Sequence, residues 1–381
     1  MSCHQPTKLM GLLQLLVLCI LATCCGAVSP PREILKPAPL VSRGCNDSDV
    51  LSVAGLALQD INKQQKDGYV LALNRVKDVW EQRQDDLGSL FYLTMDVLET
   101  SCHVQSRKSW KDCSERPLHE SVYGKCKAMF YINKPRRILY LPAYNCTLRP
   151  VSRRKVHNMC PDCPSPVPID LSDPRVLEAA TESLAKYNNE STSKQYSLVK
   201  VTRGSSQWVF GPSYFVEYLI KESPCTRSQA SSCTLQSSDS VPVGLCEGSL
   251  AQRASEKYVS VTCDLFPPQV QSPGYDNVEE PPKRNAVSSG SSYKTAPTSI
   301  QYLPDLDDEK PEDPQSTDLQ DAFPVQLDPT TNPQGDILDV SFLFLGPEEK
   351  KLVVLPFPKE KQHSDECPGP AQNNSPLLLP P

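Results

Sequence analysis

Two segments of the chain share one helical pattern of apolar residues, 126 positions apart. In both segments the apolar side chains recur at spacings of three and four residues. This spacing places them on one face of a helix, as in an amphipathic helix that covers a sheet. The pattern predicts one stripe per helix: Val50, Leu51, Ala54, Leu58 and Asn62 in the first, and Val176, Leu177, Ala180, Leu184 and Asn188 in the second.

Each predicted helix also has a recognisable beginning. Asp47 and Ser48 can cap the first helix. Ser172 or Asp173 can cap the second, and Pro174 follows at a position where its missing N–H is harmless.

After each helix the pattern changes to runs that are rich in β-branched and aromatic residues, which is typical of strands joined by hairpins. One helix followed by four strands predicts an α+β domain, in which an antiparallel sheet wraps around the helix. We therefore expect two tandem domains, residues 28–158 and 170–267, joined by a linker at residues 159–169. The predicted strands are residues 69–79, 89–98, 123–132 and 137–144 in the first domain, and 196–202, 213–220, 241–246 and 257–263 in the second.

The N-terminal region has the composition of a secretory signal peptide. Lys8 precedes an apolar run at residues 9–24, and the small residues Gly26 and Ala27 follow it. The run is shorter than the roughly 18 to 20 apolar residues that a membrane span needs, and no later run reaches that length. We expect residues 1–27 to be removed and the mature protein to be secreted, with no membrane partner.

The chain has sixteen cysteines, and the twelve that follow the signal peptide can pair completely. In a secreted protein this count indicates a disulfide framework. Four cysteines in each domain follow a related spacing, and they predict two local loops per domain. The predicted pairs are Cys102 with Cys113, Cys126 with Cys146, Cys225 with Cys233, and Cys246 with Cys263. Cys160 and Cys163 remain in the linker, Cys45 and Cys367 lie far outside it, and the sequence alone does not prove the connectivity.

Four asparagines begin an Asn-x-Ser/Thr sequon in which the middle residue is not proline. Each can accept a glycan in the secretory pathway, so each is expected at the surface. They are Asn46, Asn145, Asn189 and Asn373.

Charge and motifs exclude several classes of function. The net charge of −6 comes from residues of both signs without a long basic block, so nucleic acid is not an expected partner. The chain has no His-Glu-x-x-His, Gly-x-Ser-x-Gly or phosphate-binding glycine motif, and His103, His119, His157 and His363 are scattered. We therefore expect a monomer that is not an enzyme, with no cofactor and no metal of its own.

The C-terminal region differs in composition from the two domains. Residues 268–381 contain nineteen prolines, many charged residues and few aromatic ones, so we expect this region to be mostly disordered. Two apolar patches, residues 337–345 and 352–357, can add short strands or dock on a domain.

Several motifs together resemble the fetuins, which are type 3 cystatins. The resemblance covers essentially the whole chain. It rests on the spacing of the twelve cysteines, the tail segments 301–306 and 352–357, the linker Cys160-Pro161-Asp162-Cys163-Pro164 and the hairpin Gln207-Trp208-Val209-Phe210-Gly211-Pro212.

The resemblance implies two cystatin-like domains, a bond between Cys45 and Cys367, and secretion into plasma. It also implies inhibition of astacin-family zinc metallopeptidases such as ovastacin. Through that inhibition, it implies protection of the egg coat (zona pellucida) from premature hardening, which supports fertilisation.

The linker pair Cys160 and Cys163 has three interpretations: a redox pair, a pair of zinc ligands or a short structural disulfide. A zinc site needs a second pair nearby, and a thioredoxin-like pair opens a helix, which the prolines of the linker prevent. A disulfide leaves the Asp162 carboxylate as the free donor at the tip of a stiff loop. This carboxylate can occupy the open position of a catalytic zinc and displace its water, a role that the resemblance assigns to Asp162.

The segment from Gln207 to Pro212 predicts the tip of a β-hairpin. Trp208 can pack on its own sheet as in an ordinary turn, or it can anchor a partner's cleft. The segment also matches the Gln-x-Val-x-Gly hairpin with which cystatins enter papain-like cysteine peptidases, so inhibition of those enzymes is an alternative function. The later hairpin, expected at Gly248, Ser249 and Leu250, lacks the Pro-Trp pair of cystatins, which weakens this alternative. For a zinc peptidase, the loops around Trp208 and Leu250 would flank the linker loop and fill substrate subsites.

A third alternative is a carrier of mineral or small molecules, as the sister fetuin is for calcium phosphate. Mineral binding requires a dense acidic face on a strand. Here Lys77 and Arg83 interrupt the acidic residues, so strong mineral binding is not expected. The acidic residues in question are Asp78, Glu81, Asp85, Asp86, Asp96 and Glu99.

Overall fold

The structure is a computed structural model. It describes residues 38–84, 87–191, 194–208, 210–223, 241–253, 256–267, 298–305, 323–359 and 366–372. The expected signal peptide lies outside these ranges. So do Asn373 and the expected pair Cys225 and Cys233.

Each domain contains the predicted helix followed by four strands, and further short elements that the sequence analysis did not predict lie around them. The bounds are as follows. The strands are β1 (Leu40–Ser42), β2 (Tyr69–Gln84), β3 (Gly88–His103), β4 (Val122–Asn133), β5 (Ile138–Pro150), β6 (Val167–Pro168), β7 (Tyr196–Trp208), β8 (Pro212–Glu222), β9 (Gly244–Arg253), β10 (Glu256–Leu265), β11 (Ser299–Tyr302), β12 (Asp336–Asp339) and β13 (Lys351–Val354). The helices are α1 (Ser48–Gln64), α2 (Arg153–Met159) and α3 (Pro174–Glu190).

Two sheets carry the fold. The first has the order β1-β2-β3-β4-β5-β11 and the second has the order β10-β9-β8-β7-β6. Neighbouring strands are antiparallel, except that β11 from the C-terminal region runs parallel to β5. Helix α1 packs on the first sheet and α3 on the second, so the prediction of two tandem α+β domains is confirmed. No helix in the described part of the chain is both long enough and apolar enough to cross a membrane.

The buried face of each helix follows the predicted stripe, except that one leucine of α3 is exposed. Two further residues of α3 are buried as well. Val50, Ala54 and Leu58 are buried, as are their counterparts in α3, but Leu177 is 43% exposed and the prediction for it was wrong. The buried face continues instead through Ala179 and Ser183, because α3 meets its sheet along the 3.6-residue period around Val176, Ala180 and Leu184.

The strands are longer than predicted because they continue through charged residues. Beyond the predicted ends at residues 79 and 98, β2 continues through Glu81 and β3 through Glu99, and both are buried, although polar residues usually mark the end of a strand in a sequence. Asp96, inside the predicted range of β3, is buried as well. Arg75 donates to Asp96 across the sheet at 2.6 Å, and Glu81 accepts from Arg43 beside β1. Pairing of these charges removes most of the cost of their burial.

Parts of the C-terminal region cover the outer face of the first sheet. Strands β12 and β13 form a two-stranded ribbon. Leu352 and Val354 of this ribbon pack with Tyr92 and Tyr131, on the face of the first sheet opposite α1. The two apolar patches therefore form short strands and dock, and the expected disorder does not extend to these segments.

The described residues contain five disulfides. One of them, Cys45–Cys367, fastens the end of the C-terminal region to the first domain across 322 positions. The others are Cys102–Cys113, Cys126–Cys146, Cys160–Cys163 and Cys246–Cys263. Among the sequon asparagines, Asn46 and Asn189 are exposed, whereas Asn145 is half-buried and its Nδ2 donates to the Gln326 carbonyl at 2.8 Å.

Candidate functional site

The linker begins on the first domain. Helix α2 is capped by Ser152, whose hydroxyl accepts from the Lys155 N–H at 3.3 Å. Val156 on α2 is buried against the first domain, together with Val151 and Tyr123. The incoming end of the linker is therefore held by the first domain.

A tight turn closed by a disulfide follows α2. The Cys160 N–H donates to the Val156 carbonyl at 2.9 Å, and the Cys163 N–H donates back to the Cys160 carbonyl at 3.1 Å. The Cys160–Cys163 bond spans a Cα–Cα distance of 5.2 Å. Pro161 occupies the first central position of this turn, where its fixed φ is favourable. The turn is thus restrained by a covalent bond, a hydrogen bond and a proline.

Asp162 stands at the exposed tip of this turn. No hydrogen bond or ion pair joins its carboxylate to another residue in the described part of the chain. Pro161 and Pro164 on either side are exposed as well. The carboxylate is available to a partner without first breaking an internal contact.

The outgoing end of the linker is held by the second domain. Strand β6 pairs with the edge of β7, with Val167 opposite Ser206 and Pro168 opposite Ser205. The Ile169 N–H continues the ladder by donating to the Gly204 carbonyl at 3.0 Å. In this register, the residues that precede Val167 lie toward the end of β7 at which the chain turns into β8.

That turn presents two exposed aromatic side chains. Trp208 is 77% exposed and Phe210 is 86% exposed. Gln207 pairs with Ser213 at the base of the tip, and Pro212 begins β8. The Trp208 side chain is therefore not packed on its own sheet, and its role as an anchor in a partner's cleft stays a prediction. Val209 lies outside the described residues.

The tip is tightly shaped by its backbone. Phe210 and Gly211 have φ values of 57° and 136°, and a side chain at Gly211 would collide with the Gln252 carbonyl on β9. Ser213 pairs with Ala251 in the register of β8 and β9. The tips of the β7–β8 and β9–β10 hairpins therefore lie side by side.

The prediction that Gly248, Ser249 and Leu250 form a hairpin tip was wrong. All three lie inside β9, and Leu250 is only 4% exposed. The two strands stay paired to their ends, where Arg253 of β9 is opposite Glu256 of β10. Gly248 is not a turn glycine. A Cβ there would lie 2.7 Å from the Ser183 Cβ, so glycine lets α3 approach the strand closely.

One end of the second sheet therefore gathers the predicted site residues. The linker enters it through β6, the Trp208 tip connects β7 to β8, and the adjacent tip connects β9 to β10. Three neighbouring loops of this kind can enter a cleft together. The sequence did not predict that the end of β9, at Gln252, lies beside Gly211.

The described residues offer no metal centre of their own. No group of three or more His, Cys, Asp or Glu side chains among them could hold a metal ion. The acidic residues considered for mineral binding do not form an exposed strand face, because Asp78, Glu81, Asp96 and Glu99 are buried.

Comparison with known proteins gives consistent matches. A family model described as "Cystatin domain" matches residues 41–134 and 163–255. Human fetuin-B is 66% identical over 98% of this chain and 100% of the relative. The structure titled "Mouse fetuin-B in complex with crayfish astacin" is 60% identical with a TM-score of 0.72, covering 90% of this chain and 98% of that one. The structure titled "Inhibitory complex of human meprin beta with mouse fetuin-B" is 61% identical with a TM-score of 0.72, covering 89% and 99%.

Proposed function

The chain belongs to the fetuin-B family, and we propose that it is a secreted inhibitor of astacin-family zinc metallopeptidases and not an enzyme. The observation that carries the proposal is Asp162, an exposed carboxylate without a described partner on a covalently closed turn. Mouse fetuin-B has been solved in complexes with two peptidases, crayfish astacin and human meprin beta, and this supports the choice of enzyme class.

The chemistry of inhibition follows from the zinc ligand sphere. A catalytic zinc keeps one coordination position for water, which the metal activates as the nucleophile. The Asp162 carboxylate would occupy that position and expel the water. Because the Cys160–Cys163 bond already fixes the turn, docking orders few additional bonds and little conformational entropy is lost.

The exposed aromatic tip supplies the second part of the site. Large aromatic side chains that become buried at an interface commonly dominate its binding energy. Trp208 and Phe210 would fill substrate subsites beside the zinc, with the β9–β10 tip as a further contact. Gly248, Ser249 and Leu250 are not part of this contact, because they lie within the strand.

The geometry does not favour inhibition of cysteine peptidases in the cystatin manner. That mode uses a free segment ahead of the domain, together with two hairpins. Here the segment ahead of the second domain is the linker, whose β6 is paired to β7 and whose other end continues into α2. Among the residues that the structure describes, no free segment lies beside the Trp208 tip, so the zinc-peptidase mode is the better fit.

Titration of two purified peptidases tests the proposal. Increasing amounts of the protein should abolish the activity of an astacin-family enzyme near a one-to-one ratio and leave a papain-like enzyme active. Asp162→Ala should raise the inhibition constant about 100-fold, which is the effect of losing an interface residue worth ~3 kcal/mol. Asp49→Ala, an exposed aspartate of α1, is the matched control and should not change it. Full potency of Asp162→Ala would refute the role of the carboxylate.

We propose that the physiological target includes an ovastacin-like enzyme of the egg. Inhibition would then keep the egg coat from hardening before fertilisation. Eggs incubated with the wild-type protein should stay permeable to sperm longer than eggs incubated with Asp162→Ala. Equal hardening in both samples would refute this part of the proposal and leave the enzyme class unaffected.

A further inference from the structure

A cluster of buried polar side chains joins the two domains. Three members belong to the first domain and three to the second. We call it the interdomain cluster, and its members are Tyr69, Glu99, Arg116, Thr202, Arg203 and Glu217.

The two arginines of the cluster cross the domain boundary in opposite directions. Arg116 of the first domain donates to both carboxylate oxygens of Glu217, at 2.8 and 3.2 Å. Arg203 of the second domain donates to Glu99 of the first. Each domain therefore provides one guanidinium and one carboxylate to the other. Paired guanidinium–carboxylate contacts of this kind fix direction as well as distance.

The Tyr69 ring lies close to both guanidinium groups. Its ring centroid lies 4.1 Å from Cζ of Arg116 and 4.7 Å from Cζ of Arg203. Its hydroxyl donates to Glu217 and lies 2.8 Å from the Thr202 hydroxyl. The ring therefore contacts both crossing arginines at once.

Four of the six cluster members are closed to solvent, and Thr202 and Arg203 are half-buried. Tyr69, Glu99, Arg116 and Glu217 are all buried. Burial of ion pairs gives little net stability, because desolvation offsets the attraction between the charges. What such a cluster does supply is a preferred arrangement, since any other arrangement of the two domains leaves a buried charge without its partner.

The arrangement of the domains decides where the linker turn lies. The turn containing Asp162 is held at one end by α2, through Val156 on the first domain, and at the other by β6 on the second. Arg203 directly precedes Gly204, which receives the last hydrogen bond of the linker, and it lies five positions before Trp208. A rotation of one domain against the other would change the position of one end of the linker relative to the other.

We propose that the interdomain cluster is a positioning element of the inhibitory site, which sets the Asp162 turn at a fixed place relative to the Trp208 tip. This inference rests on the proposed function. The cluster residues touch no peptidase and act only through the geometry of the two loops. Loss of the cluster should therefore weaken binding without reducing the number of binding-competent molecules.

The test replaces one crossing pair with apolar side chains, as Arg116→Met together with Glu217→Leu, so that neither partner is left as an unpaired charge. Titration of an astacin-family enzyme gives two separate numbers, the inhibition constant and the fraction of active inhibitor. The variant should raise the inhibition constant at least 10-fold at an unchanged active fraction. Lys108→Ala, which removes an exposed ion pair with Asp264 across the same boundary, is the control and should change neither number.

Four other outcomes are informative. An unchanged inhibition constant for a folded variant would overturn the inference and leave the proposed function intact. A lowered active fraction with an unchanged constant would also overturn it, because that result indicates loss of folded protein. If the double variant does not fold, Tyr69→Phe, which loses only the hydroxyl, is titrated instead. Its inhibition constant should rise at least 10-fold at an unchanged active fraction, and an unchanged constant would overturn the inference. If the wild-type protein fails to inhibit, the proposed function is wrong, and the positioning inference falls with it.

Discussion

One asparagine in each of the helices α1 and α3, at equivalent positions, bonds the helix to its sheet. Asn62 Nδ2 donates to the Leu71 carbonyl and its Oδ1 accepts from the Leu71 N–H, both at 2.9 Å. Asn188 makes the same two contacts with Tyr196, also at 2.9 Å. The side-chain amide thus takes the place of a neighbouring strand at the beginning of β2 and β7.

Replacement of Asn188 by alanine should lower the free energy of unfolding of the second domain by about 1–3 kcal/mol. The reason is that both backbone groups of Tyr196 lose a partner in a half-buried site. Chemical denaturation of the wild type and the variant measures the difference. Thr181→Ala is the control on the same helix, because the Thr181 hydroxyl bonds only the carbonyl of Leu177 in its own helix. Equal losses for both variants would contradict the role given to Asn188.

At this scale the sequence was partly informative. The 126-residue repeat placed both asparagines on the helix face toward the sheet. It did not show that their side chains bond the backbone of a strand, unlike the apolar residues of the same stripe, which pack in the core. Gly248 shows a similar limit. A glycine next to a serine is typical of a turn, and only the close approach of Ser183 shows why glycine occurs within a strand there.

At the scale of the elements, the linker turn and the Trp208 tip were predictable because turn residues and prolines act locally, whereas the second tip was wrongly predicted at Gly248, Ser249 and Leu250. Strand lengths were not predictable, because Glu81 and Glu99 lie beyond the predicted ends of β2 and β3 and are buried through contacts with residues distant in the sequence, Arg43 and Arg203. The position of β11 beside β5 and of the β12–β13 ribbon on the first sheet also depends on long-range packing. The same holds for the partners of Arg116 and Arg203, which lie in the other domain.

The Trp208 tip gives a prediction for the hairpin as an element. Trp208→Ala should raise the inhibition constant for an astacin-family enzyme by roughly 30- to 150-fold, the effect of losing ~2–3 kcal/mol from an aromatic anchor. Because Trp208 packs on no core, the melting temperature should stay the same. Phe342→Ala, another exposed aromatic residue, is the control and should leave inhibition unchanged. An unchanged constant for Trp208→Ala would exclude the tip from the interface.

At the scale of the whole molecule, the interdomain cluster makes stability depend on pH. Burial opposes ionisation of Glu217, but hydrogen bonds and charge from Arg116 and Arg203 outweigh it and hold the pKa of this carboxyl below its ordinary value of 4.5. Burial raises the pKa of Glu99 instead, so this residue is more easily protonated. Glu217 therefore stabilises the folded protein above pH 4.5, and this contribution is lost as the pH falls through its lowered pKa. Glu99 has the opposite sign and partly offsets the loss.

The contribution of Glu217 is measured by thermal unfolding of the wild type and a Glu217 variant between pH 3 and pH 6. The wild type should lose melting temperature more steeply below pH 4.5 than Glu217→Gln, in which the side chain can still accept from Arg116 but does not ionise. Glu222→Gln, at an exposed position on the same strand, should follow the wild-type curve. Identical slopes for wild type and Glu217→Gln would contradict the assignment.

The central claim is that the Asp162 carboxylate binds the catalytic metal of the peptidase. Its most direct test uses an astacin-family enzyme in which cobalt replaces zinc, because the visible spectrum of cobalt reports its ligands. Addition of the wild-type protein should change this spectrum in proportion to the inhibition, since a carboxylate oxygen replaces water on the metal. Asp162→Asn should bind through the remaining contacts, at concentrations that saturate the enzyme, without producing that spectrum. A spectral change that is the same for wild type and Asp162→Asn, or no change at full inhibition by the wild type, would contradict the account.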